Sequence, residues 1–142
     1  MRKALCVMAL AVTMSGLFSA AAEAGYYRQY YSSWSYYSTS NYHYARYYYY
    51  PTTYATTYSY HYVIYYPSQP RYYYYYNPVN RTYWGRYDLQ EKGYSLLAEK
   101  DRKEKLADIP ESAFPKPGAM PAVPGVEDNL KMEVPPAAPK DK

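Results

Sequence analysis

Between Tyr26 and Tyr87 the chain places 25 tyrosines in 62 positions, with five arginines (Arg28, Arg46, Arg71, Arg81, Arg86) and no Asp, Glu, Lys or Cys. Two kinds of chemistry suit that set. Phenol rings stack on one another and on guanidinium groups, and a cation–π pair contributes about 0.5–1 kcal/mol at an exposed site. One-electron oxidation also turns crowded phenols into radicals that couple ortho to oxygen, and this stretch holds no thiol to be oxidised first. The densest candidates for association or cross-linking are Tyr47, Tyr48, Tyr49 and Tyr50, and the run Tyr72, Tyr73, Tyr74, Tyr75 and Tyr76. Arg46, Arg71, Arg86 and Trp84 lie beside them in sequence. Each contact is weak, but many linked on one chain give avidity, and the planar arginine group stacks better than lysine.

Other chemistries find less support. Catalysis needs an acid–base pair or an activated nucleophile held in a cleft. Here every carboxylate but Glu23 follows Tyr87 while both histidines, His43 and His61, precede it, and no phosphate loop, HExxH or GxSxG run occurs. No catalytic residue, cofactor or metal ligand is expected. His43 and His61 with flanking phenols suit Fe(III) or Cu(II), but two histidines in a biased segment read as polar filler. A sugar site combines an ordered aromatic platform with carboxylates, and the tyrosine segment has none. Arginine with stacking aromatics also suits nucleic acid, yet a net charge of +5 from five arginines is weak for that partner.

The elements that would carry these groups follow from composition. Arg2, Lys3, an apolar run from Ala4 and the small residues Ala22 and Ala24 read as a signal-peptide helix over 1–24, cleaved after Ala24, with an uncleaved membrane anchor as the alternative. Export to the periplasm, cell surface or exterior follows, with no transmembrane segment left after cleavage. The one cysteine, Cys6, lies in that leader, so disulfides and thiolate zinc are excluded from the remainder.

Three zones come next: a Tyr/Arg-rich low-complexity segment over 25–76, a short module over 77–114, and a Pro-rich disordered tail over 115–142. The first zone contains no Leu, Met or Phe, so a core there must be built from phenols, each buried hydroxyl needing a partner. The fold class expected is therefore mostly disordered, with a β-prone tyrosine segment. Only near 71–97 do the turn residues Asn77-Pro78 and Asp88 suggest a β-hairpin or three-stranded meander.

The run Tyr83-Trp84-Gly85-Arg86-Tyr87, with Gly93-Tyr94-Ser95-Leu96-Leu97 and Asp108-Ile109-Pro110-Glu111-Ser112-Ala113-Phe114-Pro115, resembles a block in small secreted tyrosine-rich proteins of planctomycete-type bacteria. The resemblance spans 77–126, implies a bacterial secreted protein and transfers no functional residue. The expectation is thus an exported structural or adhesive protein of the cell envelope or extracellular matrix. It would self-associate through Tyr–Tyr and Arg–Tyr contacts, with tyrosine cross-linking as an added step. The alternative is an envelope-polymer or glycan binder that uses tyrosine stacking.

Overall fold

A computed structural model describes residues 28–140; the leader expected over 1–24 lies outside them. Seven strands form one antiparallel sheet curved into a half-barrel. They are β1 (Gln29–Tyr31), β2 (Ser35–Tyr37), β3 (Tyr42–Tyr49), β4 (Ser59–Tyr65), β5 (Tyr72–Asn77), β6 (Thr82–Asp88) and β7 (Gly93–Leu96). β1 and β2 pair one after the other along β3, and each strand from β3 onward pairs with the next. The meander expected near 71–97 is the far part of this larger sheet, and the zone boundary at 76–77 falls inside β5. A mostly disordered chain was the wrong expectation.

Alternation explains how a tyrosine segment builds strands. Successive side chains point to opposite faces, and β3 buries every second residue: His43, Ala45, Tyr47 and Tyr49. The register carries that face across the sheet through Tyr47 opposite His61, Ala45 opposite Val63, and Val63 opposite Tyr75. Two turns use the same device. Asn77 Oδ1 accepts the amides of Val79 and Asn80, while Asp88 Oδ1 accepts those of Gln90 and Glu91. Each turn then ends on a residue of positive φ, Arg81 or Lys92.

The two faces are covered by different parts of the chain. On the tail face, Tyr47, Tyr49, Val63, Tyr73, Tyr75, Trp84, Tyr87 and Tyr94 pack with Val123 and Met132, and Met120, Val126 and Leu130 add to the cluster. The leucine and methionine that the tyrosine zone lacks therefore come from the proline-rich tail. On the opposite face, Ile64, Tyr74 and Tyr83 meet Leu97 and Ile109. That cover runs through three short 3-10 turns, Glu99–Asp101, Leu106–Asp108 and Glu111–Ala113.

The tail also answers the buried hydroxyls. Tyr31 Oη donates to Glu133 O at 2.8 Å and lies 2.8 Å from Tyr75 Oη; Tyr73 Oη donates to Pro136 O at 2.9 Å. Tyr47 Oη donates to Gln29 Oε1, which also accepts the Glu133 amide at 2.9 Å. Gln29 Nε2 in turn donates to Lys131 O at 2.8 Å. Carbonyls of an extended proline-rich segment have no ladder partner of their own, so phenol donors and tail acceptors satisfy each other. This mutual pairing is why the chain folds where the tyrosine zone and the tail, each taken alone, argue for disorder.

Candidate functional site

Most residues singled out for association serve the interior instead. Tyr47, Tyr49, Tyr73, Tyr74, Tyr75 and Trp84 are buried. Trp84 is the extra residue of a bulge, since Tyr75 faces Gly85 while Tyr76 faces Tyr83. The Arg86 guanidinium is sandwiched 3.8 Å above the Tyr72 ring and 4.0 Å from that of Phe114, and it pairs with Glu111. Arg71 forks onto the buried Asp88 at 2.9 and 3.0 Å. These contacts are made within one chain around a packed core. They overturn the expectation of an unstructured adhesive that spends its tyrosines and arginines on other copies.

Arg46, Tyr48, Tyr50 and Tyr76 have a different fate. Even-numbered positions of β3 pair with even-numbered positions of β4: Tyr44 with Ile64, Arg46 with Tyr62, Tyr48 with Tyr60. The 3-10 segment covers β5 and β6 but leaves this part of the sheet half-exposed. The result is an ordered aromatic strip. Tyr42 meets Tyr37 and Tyr66, with centroids 5.3 and 5.7 Å away. Tyr44 stands edge-on to Tyr62 at 6.0 Å, and Tyr62 to Tyr60 at 5.5 Å. Arg46 lies between the last two, 5.5 Å from the Tyr60 ring and 5.6 Å from that of Tyr62. Farther along, Tyr48 stacks on Tyr30 at 4.9 Å, and Tyr50 on Tyr58 at 3.7 Å.

A trough of about 540 Å³ opens at one end of this strip. Tyr42, Tyr44, Tyr62, Ile64 and Tyr66 line it, with Arg46 from β3 and Tyr76 and Tyr83 from β5 and β6. Tyr66 and Tyr83 join across it, their hydroxyls 3.1 Å apart. Glu104 and Lys105 reach the trough from the 3-10 segment. Glu104 is paired with Arg81 at 2.9 Å, so Arg46 and Lys105 leave the rim with an excess of positive charge. The phenols tune unequally: burial raises the Tyr83 pKa, helped by its hydrogen bond to Tyr66, and burial also raises that of Tyr42. Both are neutral donors at ordinary pH.

No protein-family model, curated protein or solved structure matches the chain.

The trough therefore speaks through its own groups. Its chemistry is recognition by ring faces, with hydroxyl and cationic donors at the edge. Sequence spacing shows the alternation that puts the strip on one face, but Glu104 and Lys105, distant in sequence, carry no signal of joining it. His43 and His61 both fall on the tail face, in β3 and β4. Among the described residues no group of three or more His, Cys, Asp or Glu could hold a metal ion. No helix among them is long and apolar enough to cross a membrane.

Proposed function

We propose that the protein is a non-catalytic binding module whose open trough takes a saccharide, with acidic sugars preferred. One observation carries this: half-exposed tyrosines lie in an ordered line on β3 and β4, and Glu104 and Lys105 face them from another segment. Sugar rings present flat C–H faces to aromatic rings, while their hydroxyls need donors and acceptors at the edge. The trough supplies both, and the carboxylate missing from the tyrosine segment arrives as Glu104. The cationic excess of Arg46 and Lys105 favours uronate carboxylates, which guanidinium groups bind by charge-assisted hydrogen bonds. A leader-like start supports action outside the cytoplasm, where such polymers occur.

The test is affinity electrophoresis through gels containing polygalacturonate or, separately, dextran. Retardation by polygalacturonate should be strong in the parent and about tenfold weaker, ~1.4 kcal/mol, in Tyr62→Ala and in Arg46→Gln. Equal mobility in all gels, or retardation unchanged in both variants, would remove the proposal. Self-association through the same strip is the competing use of these rings. Sedimentation at the same concentrations separates the two, because saccharide binding requires only the monomer. Assembly that Tyr62→Ala abolishes would make the strip an interface between copies instead.

A further inference from the structure

Three buried polar atoms meet no hydrogen-bond partner among the described residues: His61 Nδ1, Trp84 Nε1 and Tyr94 Oη. Unpaired buried polar groups cost free energy, and these three sit on adjoining rings. His61 and Trp84 meet edge to face with centroids 5.3 Å apart, and Trp84 and Tyr94 are 5.7 Å apart. The cluster belongs to the tail face, away from the open trough.

His61 and Trp84, each 5% exposed, line a common cavity of about 420 Å³. That size lies within the range of about 300–1,000 Å³ typical of small-molecule sites. It is placed where β4 and β6 begin and β5 ends. Arg102 and Thr82 form part of its wall, with Pro121, Ala122, Pro124 and Gly125 of the tail. Arg102 is the one ionised side chain on that wall, and no carboxylate lines it. Leu96, 43% exposed, also lines it.

The polar groups beside the cavity are donors, and Arg102 keeps its two terminal nitrogens after its Nε donates to Leu97 O at 3.2 Å. Trp84 Nε1 and the Arg102 guanidinium can only donate. Burial lowers the His61 pKa to about 4, so its ring is neutral at ordinary pH. His61 Nε2 lies 3.2 Å from Tyr49 Oη. When that hydroxyl donates to Nε2, Nδ1 carries the ring proton and becomes a further donor. Flat aromatic walls, an exposed leucine, one positive charge and unmatched N–H groups together describe a site for a planar anion.

We propose that this cavity binds a small aromatic carboxylate, its oxygens on the Trp84 indole N–H and the Arg102 guanidinium, its ring against His61 and Leu96. The site is separate from the saccharide trough and stands without it. Indole N–H resonances test it directly, since the chain has two tryptophans and the Trp34 Nε1 already donates to Ala137 O at 2.9 Å. Titration of the full chain with benzoate should move the Trp84 signal saturably and leave that of Trp34 in place.

Uncharged benzamide should bind about tenfold more weakly, and Arg102→Gln should weaken benzoate by a similar factor. No saturable response to benzoate, as expected where ordered water alone serves these donors, would overturn the proposal. So would equal affinity for benzamide, or full benzoate affinity in a folded Arg102→Gln variant. Should that variant fail to fold, the benzoate-to-benzamide ratio in the parent protein decides by itself.

Discussion

The ring of Tyr94 lies directly across Gly85, so a Cβ on residue 85 would sit 2.3 Å from the Tyr94 hydroxyl and 2.7 Å from two ring carbons. Gly85 and Tyr94 are on neighbouring strands, β6 and β7, where Gly85 faces Leu96 and Tyr94 faces Tyr87. A glycine inside a strand ordinarily weakens it. Here it makes room for a ring that also packs on Tyr75 at 5.2 Å. Gly85→Ala should destabilise by about 1–3 kcal/mol, the range for overpacking a filled core. Urea unfolding followed by far-UV circular dichroism measures this, and an unchanged midpoint would show that the ring relocates freely.

Gln29 is the clamp between the first strand and the tail. Its carboxamide serves Tyr47 Oη, the Glu133 amide and Lys131 O at once. Gln29→Ala leaves two of those three groups in poorly hydrated surroundings. The expected cost is about 3 kcal/mol, near the upper end for a buried group left unsatisfied. The tail should loosen with it, so trypsin should cut after Lys131 faster than in the parent. Identical cleavage rates would mean that the Tyr31–Glu133 and Tyr73–Pro136 contacts hold the tail unaided.

Acid should weaken the fold in two successive windows. His61 protonates at 6.5 when unfolded but only at about 4 when folded, because burial resists the charge. The unfolded chain therefore binds the proton first, and stability falls as pH drops from 6.5 toward 4. Asp88 acts lower. Burial alone would raise its pKa, but hydrogen bonds from Arg71 and from the Glu91 and Gln90 amides outweigh it and hold the carboxyl below 3.8. Its contribution is complete above 3.8 and lost as pH falls through the depressed folded value. The His61 imidazole resonance should keep its neutral shift below pH 6.5, and the stability advantage over Asp88→Asn should vanish only in the lower window. Titration of His61 at 6.5 would sink the first half of this prediction.

Phenol ionisation should divide into two classes. Burial raises the pKa of Tyr75 and Tyr94, and it does the same for Tyr31, Tyr47 and Tyr83, above the ordinary 10.0. Absorbance at 295 nm should rise first for the surface phenols as base is added. The buried group should follow only when the far-UV signal collapses. A single smooth step with the fold intact would contradict the buried phenol core.

Local features of this fold are legible in the residues themselves. Asn77-Pro78 and Asp88 stand at turns, and the alternation in Tyr58-Ser59-Tyr60-His61-Tyr62 falls at the start of β4. Long-range pairing is not legible. Nothing near Tyr73 announces that Pro136 will accept its hydroxyl, and nothing near Met132 announces a bed of tyrosine rings. Counting the missing leucines in 25–76 leads to disorder because that count stops at the zone boundary. The trough suffers the same blindness: Tyr62 and Arg46 are readable as strand neighbours, while Glu104 joins them only through the path of the 3-10 turns.

The tail contacts also set an order of events. Gln29 reaches Lys131 and Tyr31 reaches Glu133 across 102 positions each, and Tyr73 reaches Pro136 across 63. Contacts of such separation form late, after the loop entropy of closing them has been overcome. During synthesis, the strands that emerge first hold their phenols open to water until residues 131–136 have been made. A chain ended before residue 131 carries the same tyrosines without the tail groups that bury them, so truncation there should leave the sheet open to proteases.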